Sequence, residues 1–151
     1  MSFPKIGFGC YRIDYRVREH YTALEKAIKS GITLIDTSAN YSDGGSEILA
    51  GNVINDLVDS GDIDRSDITL VTKVGYIQGQ NYKNAEKRKK NGNPFPEVVE
   101  YGDGLWHCIH PEFLEDQLKH QLTRLNLDYI DSYLLHNPEY YLSWADKEWK
   151  R

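Results

Sequence analysis

Cysteine is scarce in this chain: its 151 residues include two, Cys10 and Cys108. Two cysteines so far apart make neither a disulfide framework nor a C-x-x-C motif, so both read as free thiols. Long apolar runs are missing as well. No stretch approaches the ~20 residues that a spanning helix needs. The opening MSFPKIGFG has neither the basic nor the apolar part of a secretory leader. A cytoplasmic protein without membrane contact is the expectation. Positive charge is not in excess: a net charge of -5 gives no general attraction to nucleic acid or anionic lipid. No G-x-G-x-x-G opens a helix behind the first strand-like segment, so the usual dinucleotide fingerprint is missing. GFGCYR, at residues 7–12, has two glycines but neither the third nor its helix.

What is present is a globular composition. The chain is 40% hydrophobic and 27% charged, with eleven tyrosines, enough for one domain with a core. Strand-like and helix-like segments alternate along it. KIGFGCY (5–11) reads as a short strand in which Gly7 and Gly9 admit close approach of a backbone or a ligand. Over residues 19–30, Leu24, Ala27 and Ile28 recur at helical spacing, and Gly31 stands where the helix should end. ITLID (32–36) is the second strand. Ser46 is placed to cap the next helix, whose Leu49, Val53, Leu57 and Val58 share one face and which Gly61 closes. ITLVTKV (68–74) is the third strand. Residues 75–110, rich in Asn, Gly, Lys and Pro, show no period and read as a long irregular loop, a kind that is usually functional or mobile. Pro111 suits the first turn of a last helix, with Leu114, Leu118, Leu122 and Leu125 as its buried stripe. DYIDSYLLH (128–136) supplies a fourth strand.

This alternation predicts an α/β fold with a parallel sheet and right-handed crossovers, either doubly wound or a (β/α) barrel. Polar residues gather at the strand ends: Asp36 and Tyr41 after the second, Lys73 in the third, His136 after the fourth. In a barrel those ends share the catalytic face. LIDTSANYSDGGSE (34–47) then has two readings, a strand ending in ordinary polar turn chemistry or a carboxylate and a phenol leaving one strand together for catalysis. A tyrosine titrates at about 10 and donates its proton sluggishly at neutral pH. An ammonium beside it stabilises the phenolate and makes it a better acid. A carboxylate fixes the ammonium, and a histidine can orient a substrate oxygen. Such a set protonates a carbonyl oxygen while another reagent attacks the carbon. It holds no hydride source, which implies a cofactor.

GFGCYR, LIDTSANYSDGGSEILAG, LVTKV and LDYIDSYLLHNPE resemble successive signature segments of the aldo-keto reductase family. The D-T-x-x-x-Y block, the strand-three lysine and the D-x-Y-L-x-H strand come in family order. The resemblance implies a (β/α)8 TIM-barrel ancestry, with this chain as an N-terminal half-barrel of about four parallel strands with helices and an insertion at 75–110. It implies Tyr41 as proton donor, Lys73 paired with Asp36 to activate it, and His136 to orient the carbonyl. Gly9, Cys10, Tyr11 and Asp36 fall where the family meets the nicotinamide end of NADP(H), and Asn137 where it often faces substrate. The reaction implied is NADP(H)-linked reduction of an aldehyde or ketone, or oxidation of the alcohol, on a small carbonyl or alcohol substrate, with the sugar type among the expectations.

The family takes most of its dinucleotide contacts from the second half of its barrel. The alternative expectation is therefore a truncated, catalytically inactive half-barrel that self-associates through open sheet edges. Two further motifs carry less. His107, Cys108 and His110 in WHCIH are spaced too tightly for a typical zinc site, so no metal is expected. The run Lys87, Arg88, Lys89 and Lys90 reads as a solvated loop rather than a phosphate contact.

Overall fold

The computed structural model describes residues 4–142. In chain order its elements begin with β1 (Gly7–Gly9), α1 (Arg18–Lys29), β2 (Leu34–Asp36), α2 (Gly45–Asp59), β3 (Thr69–Val74) and β4 (Tyr76–Ile77). They continue with α3 (Gly79–Lys90), β5 (Val99–Gly102), β6 (Leu105–His107), α4 (Pro111–Leu125) and β7 (Ser132–Leu135). The chain divides into two compact units. The first runs through Lys73 and includes His120–Leu134; the second holds Val74–Lys119 and continues from Leu135.

The main sheet has the order β1-β2-β3-β7, as the alternation of segments predicts. Its first two pairs are parallel, with Phe8 opposite Ile35 and Ile35 opposite Leu70. Helix α1 crosses from β1 to β2 and α2 from β2 to β3. Among the described residues, no helix is long and apolar enough to cross a membrane.

The core of the first unit is the apolar face of α2 packed on the sheet and on α1. Leu49, Val53, Ile54 and Leu57 are buried with Leu24, Ile28, Ile35, Leu70 and Leu125. Each such side chain contributes roughly 1.5–3 kcal/mol when fully buried. Both crossover helices end as their glycines suggest. Gly31, at φ +94°, donates to Ile28 O while Ile32 N reaches Ala27 O; Gly61, at φ +75°, donates to Val58 O while Asp62 N reaches Leu57 O. Both pairs form the Schellman pattern, which needs a left-handed residue just past the cap.

At the other end of α2 the expected cap is displaced. Gly44, not Ser46, is the N-cap. Ser46 lies inside the helix, fully buried, and its hydroxyl is committed to Thr37 Oγ1 at 2.7 Å and Cys10 O at 2.9 Å. The serine ties the ends of β1 and β2 together instead of closing a helix. Further along, Gly51 lets α2 meet the end of α4 backbone to backbone: a Cβ there would fall 2.0 Å from Leu125 O.

Helix α4 forms as expected, but its buried stripe is Phe113, Gln117, Gln121 and Leu125. Leu114, Leu118 and Leu122 are half-buried beside it. Buried glutamines are tolerated because each is hydrogen-bonded, Gln117 to Asn81 and Gln121 to the network described below.

The segment 75–110 is not an irregular loop. It contains α3 and an antiparallel sheet of order β4-β6-β5, with Tyr76 opposite His107 and Val99 opposite His107 on the other side. Its strands are too short to display alternation, and α3 buries only Ala85, so no periodicity was visible. Side-chain contacts hold it: Tyr82 against Trp106 at 4.7 Å, and Phe95 against Phe113 at 5.1 Å. The Lys87–Lys90 run closes α3, where cations favour the helix dipole. Arg88 pairs with Glu112 at 2.5 Å, and Lys89 pairs with Glu100.

Candidate active site

Three of the four candidate catalytic residues meet in the first unit. Asp36 is the last residue of β2, and Lys73 lies on β3, the strand beside it. Lys73 Nζ donates to Asp36 Oδ1 at 2.6 Å, to Thr37 O at 2.9 Å and to Tyr41 Oη at 3.2 Å. An ammonium has three protons, and here three acceptors match them. Only 14% of the lysine side chain is exposed, against 41% for Asp36, so the charge is sheltered but the carboxylate still reaches solvent.

Tyr41 opens a short 3-10 turn with unusual geometry. Ser42, Asp43 and Gly44 all have positive φ, at 51°, 53° and 88°. Two non-glycine residues in the left-handed region cost about 1–2 kcal/mol each. The turn is held by Ser42 Oγ donating to Ile13 O at 2.8 Å, and Tyr41 is flanked edge-on by the Tyr11 ring at 5.1 Å. The strained backbone of Ser42 and Asp43 thus directly follows the phenol that contacts the ammonium.

Of the cofactor candidates, Gly9 has open space where a Cβ would be, and Tyr11 is 63% exposed. Cys10 is fully buried, and burial, with the Asp36 charge, pushes its thiol up to about 12. Its amide donates to Asp36 O and its carbonyl accepts from Ser46, so it shapes the loop and presents no thiol.

Beneath Lys73 lies a buried polar network that the sequence did not announce. Glu47, 0% exposed, accepts from Thr72 Oγ1, from Gln121 Nε2 and from Arg124 Nε, each at 2.7 Å. Gln121 Nε2 also reaches Lys73 O at 3.1 Å, and Tyr133 Oη donates to Gln121 Oε1 at 2.6 Å. Burial and the Glu47 charge push the Tyr133 phenol up, which keeps it a donor. The one usable signal was a glutamine four residues before Leu125, on the face that packs inward.

His136 belongs to the second unit, where it follows β7. Its amide donates to Val74 O at 2.7 Å, its carbonyl faces His107 Nε2 at 2.8 Å, and its ring stands edge-on to Tyr76 at 4.8 Å. Asn137 is a left-handed turn residue, φ 50°, whose amide donates to Glu139 Oε1.

Burial holds the His107 imidazole below its usual range, against the opposing pull of His136 O and Glu139. The unfolded chain therefore takes up this proton first as pH falls, so stability present above about pH 6.5 is lost below it. Thermal unfolding followed from about pH 7.5 to about pH 5 should show a falling midpoint, and His107→Phe should flatten the fall. Tyr76 and Tyr140 flank the ring, His136 presents its carbonyl to it, and the charge of Glu139 acts on it.

The sequence model of the aldo/keto reductase family matches residues 5–149. The chain belongs to the aldo/keto reductase family. Among curated aldo/keto reductase relatives, the NAD(P)H-dependent D-xylose reductase of Scheffersomyces stipitis is 27% identical over 138 residues, 91% of this chain and 32% of the relative. The NADH-specific methylglyoxal reductase of Escherichia coli is 32% identical over 116 residues, 76% of this chain and 29% of the relative. The holo form of an aldo-keto reductase from Bacillus halodurans superposes with a TM-score of 0.63 at 24% identity, covering 97% of this chain and 42% of that one. The fold is thus the α/β type of the aldo/keto reductase barrel. The chain spans about a third of the length of the curated relatives it matches.

Proposed function

We propose that this chain supplies the acid–base centre of an NADP(H)-linked carbonyl reductase acting on a small, sugar-type aldehyde or ketone, and on the alcohol in reverse. The observation that carries the reading is the Lys73 ammonium held between Asp36 Oδ1 and Tyr41 Oη. Tyr41 gives its phenolic proton to the carbonyl oxygen. Lys73 steadies the phenolate left behind, and Asp36 keeps the ammonium charged and in place. His136 orients the carbonyl, and Asn137 lies next to it for a substrate hydroxyl. The open backbone at Gly9, with Cys10, Tyr11 and Asp36, suits the nicotinamide end of the cofactor. When bound, NADP(H) supplies the hydride that these side chains lack. The names of the xylose and methylglyoxal reductases favour a short aldehyde substrate.

The test is Tyr41→Phe, assayed in the chain alone and in the chain joined to the remaining two-thirds of a relative. In the joined protein, NADPH-dependent reduction of xylose or methylglyoxal should fall by about 10²–10⁴-fold while coenzyme affinity stays within a factor of about two. An equal loss of coenzyme binding would make Tyr41 structural.

Exposed apolar residues at the outer strands favour a second reading for the chain by itself. Ile6 is 70% exposed, and Leu134 and Leu135 on β7 are 44% and 46% exposed. On this reading the isolated chain is an inactive half-barrel that pairs with a second copy through its sheet edges. Light scattering on the chain, run beside the NADPH oxidation assay, separates the two: an active monomer excludes it.

A further inference from the structure

His107 sits in the WHCIH motif, which none of the proposed roles uses. It is 0% exposed at the end of β6, edge-on to Tyr76 and stacked on Tyr140 at 5.9 Å. Its Nε2 stands 2.8 Å from His136 O. A carbonyl only accepts, so Nε2 carries the proton. Nδ1 is buried and has no hydrogen-bond partner, so it must be bare: a second N–H there would be buried unpaired.

The approach of the ring is built into the backbone. Gly75 has φ +140°, and a Cβ on it would lie 2.6 Å from His107 Nε2 and 3.0 Å from His136 O. Any other residue at 75 would force the ring and the carbonyl apart. Cys108 N donates to Gly75 O at 2.9 Å, which keeps β6 in register beside that glycine. His136 is thereby held at both backbone groups, its N–H by Val74 O and its C=O by His107. Its ring is braced by Tyr76, which also touches His107 and Tyr140.

We infer that His107 is a positioning residue: its Nε2–H fixes the peptide plane of His136 and so fixes the direction in which the His136 imidazole leaves β7. The inference rests on the reading of His136 as the group that orients the substrate carbonyl. It gives the segment 75–110 a purpose, since that segment delivers the histidine that clamps a residue about thirty positions later.

Long-range ¹H–¹⁵N spectra of the imidazoles in the unmodified chain should show His107 as the neutral Nε2–H tautomer. His107→Phe keeps an aromatic ring between Tyr76 and Tyr140 but removes the donor. It should speed hydrogen exchange at the His136 amide by about tenfold and shift the His136 ring resonances, leaving Trp106 and Phe113 protected. His107→Gln, which restores a donor, should recover most of the protection. An Nδ1–H tautomer in the unmodified chain overturns the inference even if the phenylalanine variant does not fold. So does a folded His107→Phe with His136 unchanged. Normal carbonyl reduction by His136→Asn in the joined protein would instead remove the substrate role of His136 and leave the clamp standing.

Discussion

Replacing Lys73 with methionine is expected to cut carbonyl reduction in the joined protein by about 10³-fold or more, with coenzyme affinity largely kept. The physical reason is that one ammonium serves three acceptors at once. Methionine fills the same volume, but leaves Tyr41 without its charge partner and Asp36 without its ion pair. Arginine should not rescue. Its planar fork cannot place protons at Asp36 Oδ1, Thr37 O and Tyr41 Oη, which converge on a single atom. The measurement is kcat/KM for the aldehyde beside a coenzyme titration. Retention of activity in the methionine variant would remove Lys73 from the chemistry.

Arg124→Met should cost stability rather than chemistry. Glu47 is completely buried, and Arg124 is the cation that contacts it, at 2.7 Å. Removing one partner of a buried pair leaves an uncompensated charge, at a cost of about 3–5 kcal/mol. The low end of that interval applies, because Arg124 Nη2 already lacks a partner and 21% of the side chain is exposed. Adding Glu47→Gln removes both charges while keeping the acceptor for Thr72 and Gln121, so the double variant should regain much of the loss. Urea unfolding of the two single variants and the double variant measures the coupling; simple additivity would mean that the pair does not interact. The arginine stem also packs on Gly44, where a Cβ would meet its Cδ at 2.8 Å.

The cluster of Asp36, Lys73 and Tyr41 was legible because strand alternation and order place Asp36 and Lys73 at neighbouring strand ends, whatever the details of the loops. The ends of α1 and α2 were legible for a similar reason: Gly31 and Gly61 satisfy a local backbone need. Other features depended on distant partners. Glu47 and Gln121 look like surface residues until Thr72, Arg124 and Tyr133 are brought to them. Ser46 looks like a cap until Thr37 and Cys10 O claim its hydroxyl. In α4, Leu114, Leu118 and Leu122 suggested a stripe one position off while Leu125 belongs to the buried one, because polar residues fill two of its buried places. Helix α3 was invisible because it is polar almost throughout and leans on Trp106, Glu112 and Phe95 from outside itself.

The two thiols have a use beyond packing. Cys10 lies in the first unit and Cys108 in the second, and both are 0% exposed. Burial pushes Cys10 up to about 12 and Cys108 up to about 11, so neither forms the thiolate that an alkylating reagent attacks while its unit is closed. Labelling at either position then proceeds through opening of the surrounding structure. Iodoacetamide uptake, resolved by peptide mass spectrometry, thus times the opening of each unit separately within one molecule, with no introduced probe.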